Sequence, residues 1–244
     1  MEQDKINQAA PINTGFIIAG MLLMFILVHV GFQATYFKHF PEFKKFTWIH
    51  HVHGALMGSW VLMLVLQPIL IYKQKFAAHR FIGKLSYVIA PLMVATMLLV
   101  ARINYHTGIA QTSSEEIFSR QSNTWMQIFM FVLFYALAIS YRKHTDRHMR
   151  FMIATAIVMS GPAMSRIIFN YWGEASVPYN VIIPFCVKTG LAALLLIADI
   201  TRKKNWMPYL IVLLAFLLAD LVYYARYSNA WQAFGKFVIN NLYR

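Results

Sequence analysis

Polar residues recur along this chain at intervals that leave seven long apolar runs, near 14–36, 46–72, 83–104, 123–141, 150–172, 178–201 and 206–226. Each reaches the roughly 20 residues that an α-helix needs to cross a bilayer core. The pattern predicts an all-α fold, a polytopic seven-transmembrane-helix bundle that forms one integral membrane domain over residues 1–244. No Gly/Ser linker or low-complexity block divides it. The aromatic and basic tail from Ser228 is expected to lie along the membrane interface.

Two of the runs carry polar stripes. The second, FTWIHHVHGALMGSWVLMLVLQPILIY, opens with His50, His51 and His53. Steps of four, three, four and three residues place His53, Met57, Trp60, Leu64 and Gln67 on one helical face. Unpaired polar groups cost several kcal/mol in hydrocarbon, roughly, so this face should look inward. In the fifth run His148, Met152, Thr155, Met159, Pro162 and Arg166 share a face that climbs about 27 Å at 1.5 Å per residue. Arg166 then sits at membrane depth and must find a carboxylate, an anion or water. Lys188 falls near mid-membrane in the sixth run and Asp220 in the outer part of the seventh. A Lys188–Asp220 or Arg166–Asp220 pair would satisfy these charges. Asp199, near the other end of the sixth run, is expected to pair with Arg202 or Lys203. Together His53, Arg166, Lys188 and Asp220 outline an expected polar pocket in the outer half of the bundle.

Composition agrees with a membrane protein. The chain is 59% hydrophobic and 13% charged, against about 45–50% and 25% in soluble domains. A net charge of +13 could suggest nucleic acid, but the Lys and Arg cluster in short loops, the signature of topology. Lys73, Lys75, Arg80, Lys84, Arg142, Lys143, Arg147, Arg150, Arg202, Lys203 and Lys204 lie on one side, and Lys38, Lys44, Lys45, Arg102 and Arg120 on the other. The positive-inside rule puts the larger set and the amino terminus in the cytoplasm. The first residues are polar without a basic start, so no signal cleavage is expected. A single cysteine, Cys186, excludes an internal disulfide and any Cys-based zinc or iron–sulfur centre.

The histidines form two layers. His29, His50, His51, His53 and His106 fall towards the outer side, and His79, His144 and His148 towards the inner. Imidazole is a common ligand for metals and haem iron, so His51 and His53 are candidate metal ligands. There is also an internal echo: the second and third runs resemble the fourth and fifth, each pair with a basic loop and a proline (Pro91, Pro162) in its second member. If the hairpins are equivalent, His79 and His148 should approach one another. H-E-x-x-H, G-x-S-x-G, Walker and Rossmann signatures are all missing from the sequence.

The ordered set His51-x-His53-Gly54, Trp60, Gln67, His79-Arg80-x-x-Gly83, His148-x-Arg150-x-Met152, Pro162-Ala163-x-x-Arg166 and Asp199 resembles a bacterial family of seven-helix membrane proteins classed as a domain of unknown function. The resemblance covers roughly residues 30–205 and implies a place in the bacterial inner membrane. Members often carry a histidine soon after the aspartate, where this chain reads Thr201 to Trp206 without one. A looser similarity to cytochrome b561-type proteins implies haem b held between helices by paired histidines. That family needs a histidine in the fourth helix, and none stands there.

The leading expectation is a membrane redox protein holding haem b or a transition-metal ion, with His51, His53, His79, His148, Trp60 and Gln67 around the cofactor. One alternative is a cofactor-free membrane enzyme using Asp220, His53, Arg166 and Lys188. The other is a transporter or accessory subunit whose buried charges move a proton or an anion. Its partners would be the lipid bilayer and other membrane subunits, with no nucleic acid.

Overall fold

A computed structural model describes residues 14–44 and 46–243. The expected amino-terminal stretch, Lys45 and Arg244 therefore lie outside the described residues. The chain is an all-α polytopic membrane protein, 85% helical. The helices are α1 (Thr14–Gln33), α2 (Trp48–Tyr72), α3 (Phe76–Gly108), α4 (Ser114–Arg120), α5 (Ser122–Ser140), α6 (Thr145–Trp172), α7 (Tyr179–Thr201), α8 (Met207–Tyr224) and α9 (Asn229–Leu242). All but α4 and α9 are long and apolar enough to cross a bilayer, giving seven spans among the described residues.

Length separates the spans from the helices that contain them. α3 starts at Phe76, seven residues before its apolar run, and continues to Gly108. At 1.5 Å per residue its 33 residues cover about 50 Å, more than the hydrocarbon thickness. Helix continues through His79, Arg80 and Lys84 because their backbone bonds are local, and the Arg80 and Lys84 side chains are exposed. α6 stops at Gly173, whose φ of +65° is a conformation that glycine adopts without a Cβ clash.

α6 is the axis of the bundle. Eleven of its residues are buried, against three in α1. It packs on α1, α5, α7 and α8 and touches α2, while α2 pairs mainly with α3. Ala154, Ala156, Gly161 and Ala163 keep it slim enough for this. Trp60 is fully buried against Phe131 and Tyr135 of α5, with its indole N–H donating to Thr155 of α6 at 3.4 Å. At the far ends, α4 and α9 meet through Phe118, Trp231 and Phe234. The expected interfacial tail is this helix, and its Phe237 and Leu242 remain exposed.

Because successive spans alternate in direction, the connections at 73–75, 141–144 and 202–206 share one face, called the basic face here. The charge asymmetry predicts that this face is cytoplasmic. In a Cys186→Ser background, Lys143→Cys should react with an impermeant maleimide only after cells are opened, and Gln111→Cys in intact cells. The reverse pattern would invert the topology.

Candidate functional site

The stripe on α2 faces protein along its length. His53 Nδ1 lies 3.1 Å from Thr96 Oγ1 of α3. The Thr96 hydroxyl already donates to the Met93 carbonyl at 2.9 Å, so its oxygen must accept from His53 Nδ1–H. Neutral His53 then carries its lone pair on Nε2. Two turns along the same face Trp60 and Leu64 are buried, and Gln67 closes the stripe at the basic end. With its amide nitrogen towards His79, Gln67 donates to the His79 carbonyl at 3.3 Å and to the ring Nδ1, while its oxygen accepts from the Gly83 N–H at 3.1 Å. Neutral His79 must then carry its proton on Nε2.

His148 of α6 is the complement. Its Nδ1 donates to the Ala138 carbonyl at 2.8 Å, since a carbonyl can only accept, and Nε2 keeps the lone pair. His148 and His79 lie close enough to interact electrostatically. The basic half thus brings Gln67, His79 and His148 together from α2, α3 and α6.

The other predicted site residues occupy two further places. The Arg166 guanidinium stacks over the Phe32 ring of α1, 4.3 Å from its centroid, and Nη1 donates to the Pro162 carbonyl at 3.0 Å. It also lies within electrostatic range of His53. Lys188 is 2% exposed and stands on the other side of α6, its ammonium 4.9 Å from the Phe185 ring and 5.7 Å from that of Phe216. A Cβ placed on Gly161 would lie 3.4 Å from that ammonium and 3.8 Å from the Gln127 amide, so both groups lie against this turn of α6. Asp220 accepts from Thr189 at 3.0 Å and interacts electrostatically with Lys188. Among the described residues no hydrogen bond or ion pair joins Asp220 or Lys188 to His53 or Arg166. The polar interior is therefore divided by α6.

His51 faces elsewhere. It lies 2.7 Å from the Tyr36 hydroxyl in the connection before α2, inside a cluster with Phe43 and Phe46. Burial pushes the Tyr36 phenol up from its ordinary value. Two residues along a helix is about 200° of rotation, so His51 and His53 meet different elements. Among the described residues no group of three or more His, Cys, Asp or Glu side chains converges as a metal cage would. His50 caps the start of α2 through Thr47, and His106 donates to the Tyr243 carbonyl at 2.7 Å.

The expected pairing of Asp199 is corrected. It binds Arg150, Nε to Oδ2 at 2.6 Å and Nη2 to Oδ1 at 3.0 Å, with Arg150 Nη1 on the Asp146 carbonyl at 2.8 Å. Arg202 and Lys203 begin the turn that follows α7, whereas Arg150 is inside α6 beside it. Thr96, Gln127 and Thr189, which complete these environments, gave no sequence signal because single hydroxyls and amides are common in apolar helices.

Comparison with family models, with curated proteins and with solved structures gave no match.

Proposed function

We propose that this membrane protein is a redox protein of the bacterial inner membrane that holds haem b or a transition-metal ion through interior histidines, His53 in one half and His148 in the other. One observation carries the reading. Both rings spend Nδ1–H on an oxygen, Thr96 Oγ1 for His53 and the Ala138 carbonyl for His148, and so keep the Nε2 lone pair that a metal requires. Such second partners orient a ligating imidazole and raise its basicity. His79 sits beside His148 in the complementary tautomer, with Gln67 on its Nδ1. It serves as a donor there rather than as a second ligand in the same ring state. Trp60, fully buried, stands on the α2 stripe between the two layers. The bound group would supply one-electron transfer.

Absorption spectroscopy and elemental analysis of the purified protein test this. A Soret band, or a stoichiometric transition metal, is expected, with His53→Ala and His148→Ala each removing part of it at unchanged folded yield. Thr96→Val should weaken binding about 10–100-fold by freeing the His53 ring. A colourless, metal-free preparation overturns the reading.

A second reading has its own observation. Lys188, 2% exposed, and Asp220 bring opposite charges into the interior between α5, α6, α7 and α8. Ionisable groups at this depth commonly line proton or ion routes. A transporter or accessory subunit that moves a proton or an anion is the function this cluster supports, and it is what a colourless preparation would leave standing.

A further inference from the structure

The helices α1 and α6 run in the same direction and touch backbone to backbone at Gly31 and Ala163, where an added Cβ would come within 2.6 Å of the Ala163 carbonyl oxygen. One turn further towards the face opposite the basic one, Arg166 lies over Phe32. Thr35 stands one turn past Gly31 on α1 and Asn170 one turn past Arg166 on α6, about 4.5 Å apart along the axis by that register. Tyr36 N–H still bonds the Phe32 carbonyl at 2.8 Å, so the helical advance holds as far as Thr35. Thr35 Oγ1 and Asn170 Nδ2 are both buried without a hydrogen-bond partner.

Two unsatisfied polar atoms towards the same end of the α1–α6 pair as a guanidinium at membrane depth call for a ligand. Native proteins leave few buried polar groups unpaired. Arg166 spends one donor on Pro162 and meets no carboxylate in an ion pair among the described residues. A guanidinium has five N–H donors and no acceptor, an amide nitrogen donates only, and a hydroxyl can donate. The unsatisfied groups at this place can all donate, and the guanidinium beside Phe32 is positive. The matching ligand is rich in acceptors and negative.

We propose that the groove between α1 and α6 at Arg166, Asn170 and Thr35 is an oxyanion-binding site, built for a carboxylate or phosphate group. Planar bidentate recognition of such groups is what arginine does best. Closure of the helices at Gly31 and Ala163 forms the floor, so the anion enters from the face opposite the basic one or from the bilayer. The oxyanion is either the phosphate of a lipid headgroup or a soluble anion. The site does not depend on the redox reading, since none of its three donors is a proposed ligand there.

Thermal unfolding of the full chain in neutral detergent decides it, with two probes at constant ionic strength against chloride: short-chain phosphatidic acid and inorganic phosphate. At least one probe should stabilise the wild-type chain saturably. Arg166→Gln should raise the concentration for half-maximal stabilisation about tenfold or more, the equivalent of one charge-assisted hydrogen bond. Asn170→Ala and Thr35→Val should raise it about threefold each, as for a neutral bond. Response to the lipid probe alone assigns the headgroup, and response to phosphate alone assigns a soluble anion. No saturable stabilisation by either probe, or the same midpoint in every variant, overturns the proposal. Should Arg166→Gln fail to fold, the Asn170→Ala and Thr35→Val midpoints decide by the same criterion.

Discussion

Asp199→Asn should destabilise the folded chain by about 3–5 kcal/mol, which for a typical stability of about 5–15 kcal/mol is a large share of the whole. Arg150 and Asp199 are bound bidentately with side chains 4% and 11% exposed. Bringing the two charges out of water cost several kcal/mol, roughly, and their mutual attraction offsets that only while both are present. Removing the carboxylate charge leaves the guanidinium with the Asp146 carbonyl, and with the Tyr209 ring at 5.8 Å. Neither replaces a counter-charge. The double variant Arg150→Met with Asp199→Leu should recover most of the loss, since a pair of apolar side chains of similar volume carries no desolvation cost. Reversible unfolding in mixed micelles would measure both. If Asp199→Asn is neutral, Arg150 is reaching water, and the pair belongs to the interface rather than the core.

Gly31→Ala and Gly20→Ala, the same substitution eleven residues apart on α1, should act with opposite signs. Alanine is the better helix former by about 1 kcal/mol, and at Gly20 an added Cβ would meet nothing within 4 Å. Gly20→Ala should therefore be neutral or stabilising by up to about 1 kcal/mol. At Gly31 the added Cβ would meet Ala163 O at 2.6 Å, Cα at 2.8 Å and C at 3.0 Å. These are backbone atoms of the central helix and cannot rotate away. Overpacking of this kind costs about 1–3 kcal/mol, and Gly31→Val should exceed that and abolish folded yield. Thermal midpoints of the two alanine variants settle the matter. Equal shifts would show that α1 can slide on α6, and the close approach would then not fix the register on which the anion site depends.

Membrane-length apolar runs and the two polar stripes were legible in the sequence because hydrocarbon leaves the backbone so few options. Periodicity also told which way His53, Trp60 and Gln67 face, since a stripe with an imidazole and an amide has no place against lipid. It could not tell what they face. Thr96 is one hydroxyl in an apolar helix, and only the pairing of α2 with α3 makes it the partner of His53. Cost arguments show that Arg166, Lys188 and Asp220 need company, yet they leave the order of helices around the bundle open. With α6 in the middle, Arg166 turns to α1 while Lys188 lies towards α8, so a single pocket becomes two environments. Asp199 was assigned by nearness in sequence, and nearness in space chose Arg150. The short helix α4 was missed because seven residues are too few to show a period.

The fastening at the end opposite the basic face bears on the order in which the molecule is made. The Tyr243 carbonyl accepts from Arg102 at 3.2 Å and from His106 at 2.7 Å, and its hydroxyl donates to Gln121 at 3.0 Å. Burial pushes that phenol up to about 12, so it remains a donor at any physiological pH. Gln232 reaches Ser119 at 2.7 Å, and Gln121 in turn donates to the Ala101 carbonyl at 2.7 Å. The partners of the Tyr243 carbonyl and hydroxyl have left the ribosome more than a hundred residues earlier. The ends of α3 and α5 must therefore wait in the membrane, their polar groups on water or headgroups, until the last turn of α9 emerges. That end of the bundle is thus fastened by α9 after the seven spans have been made.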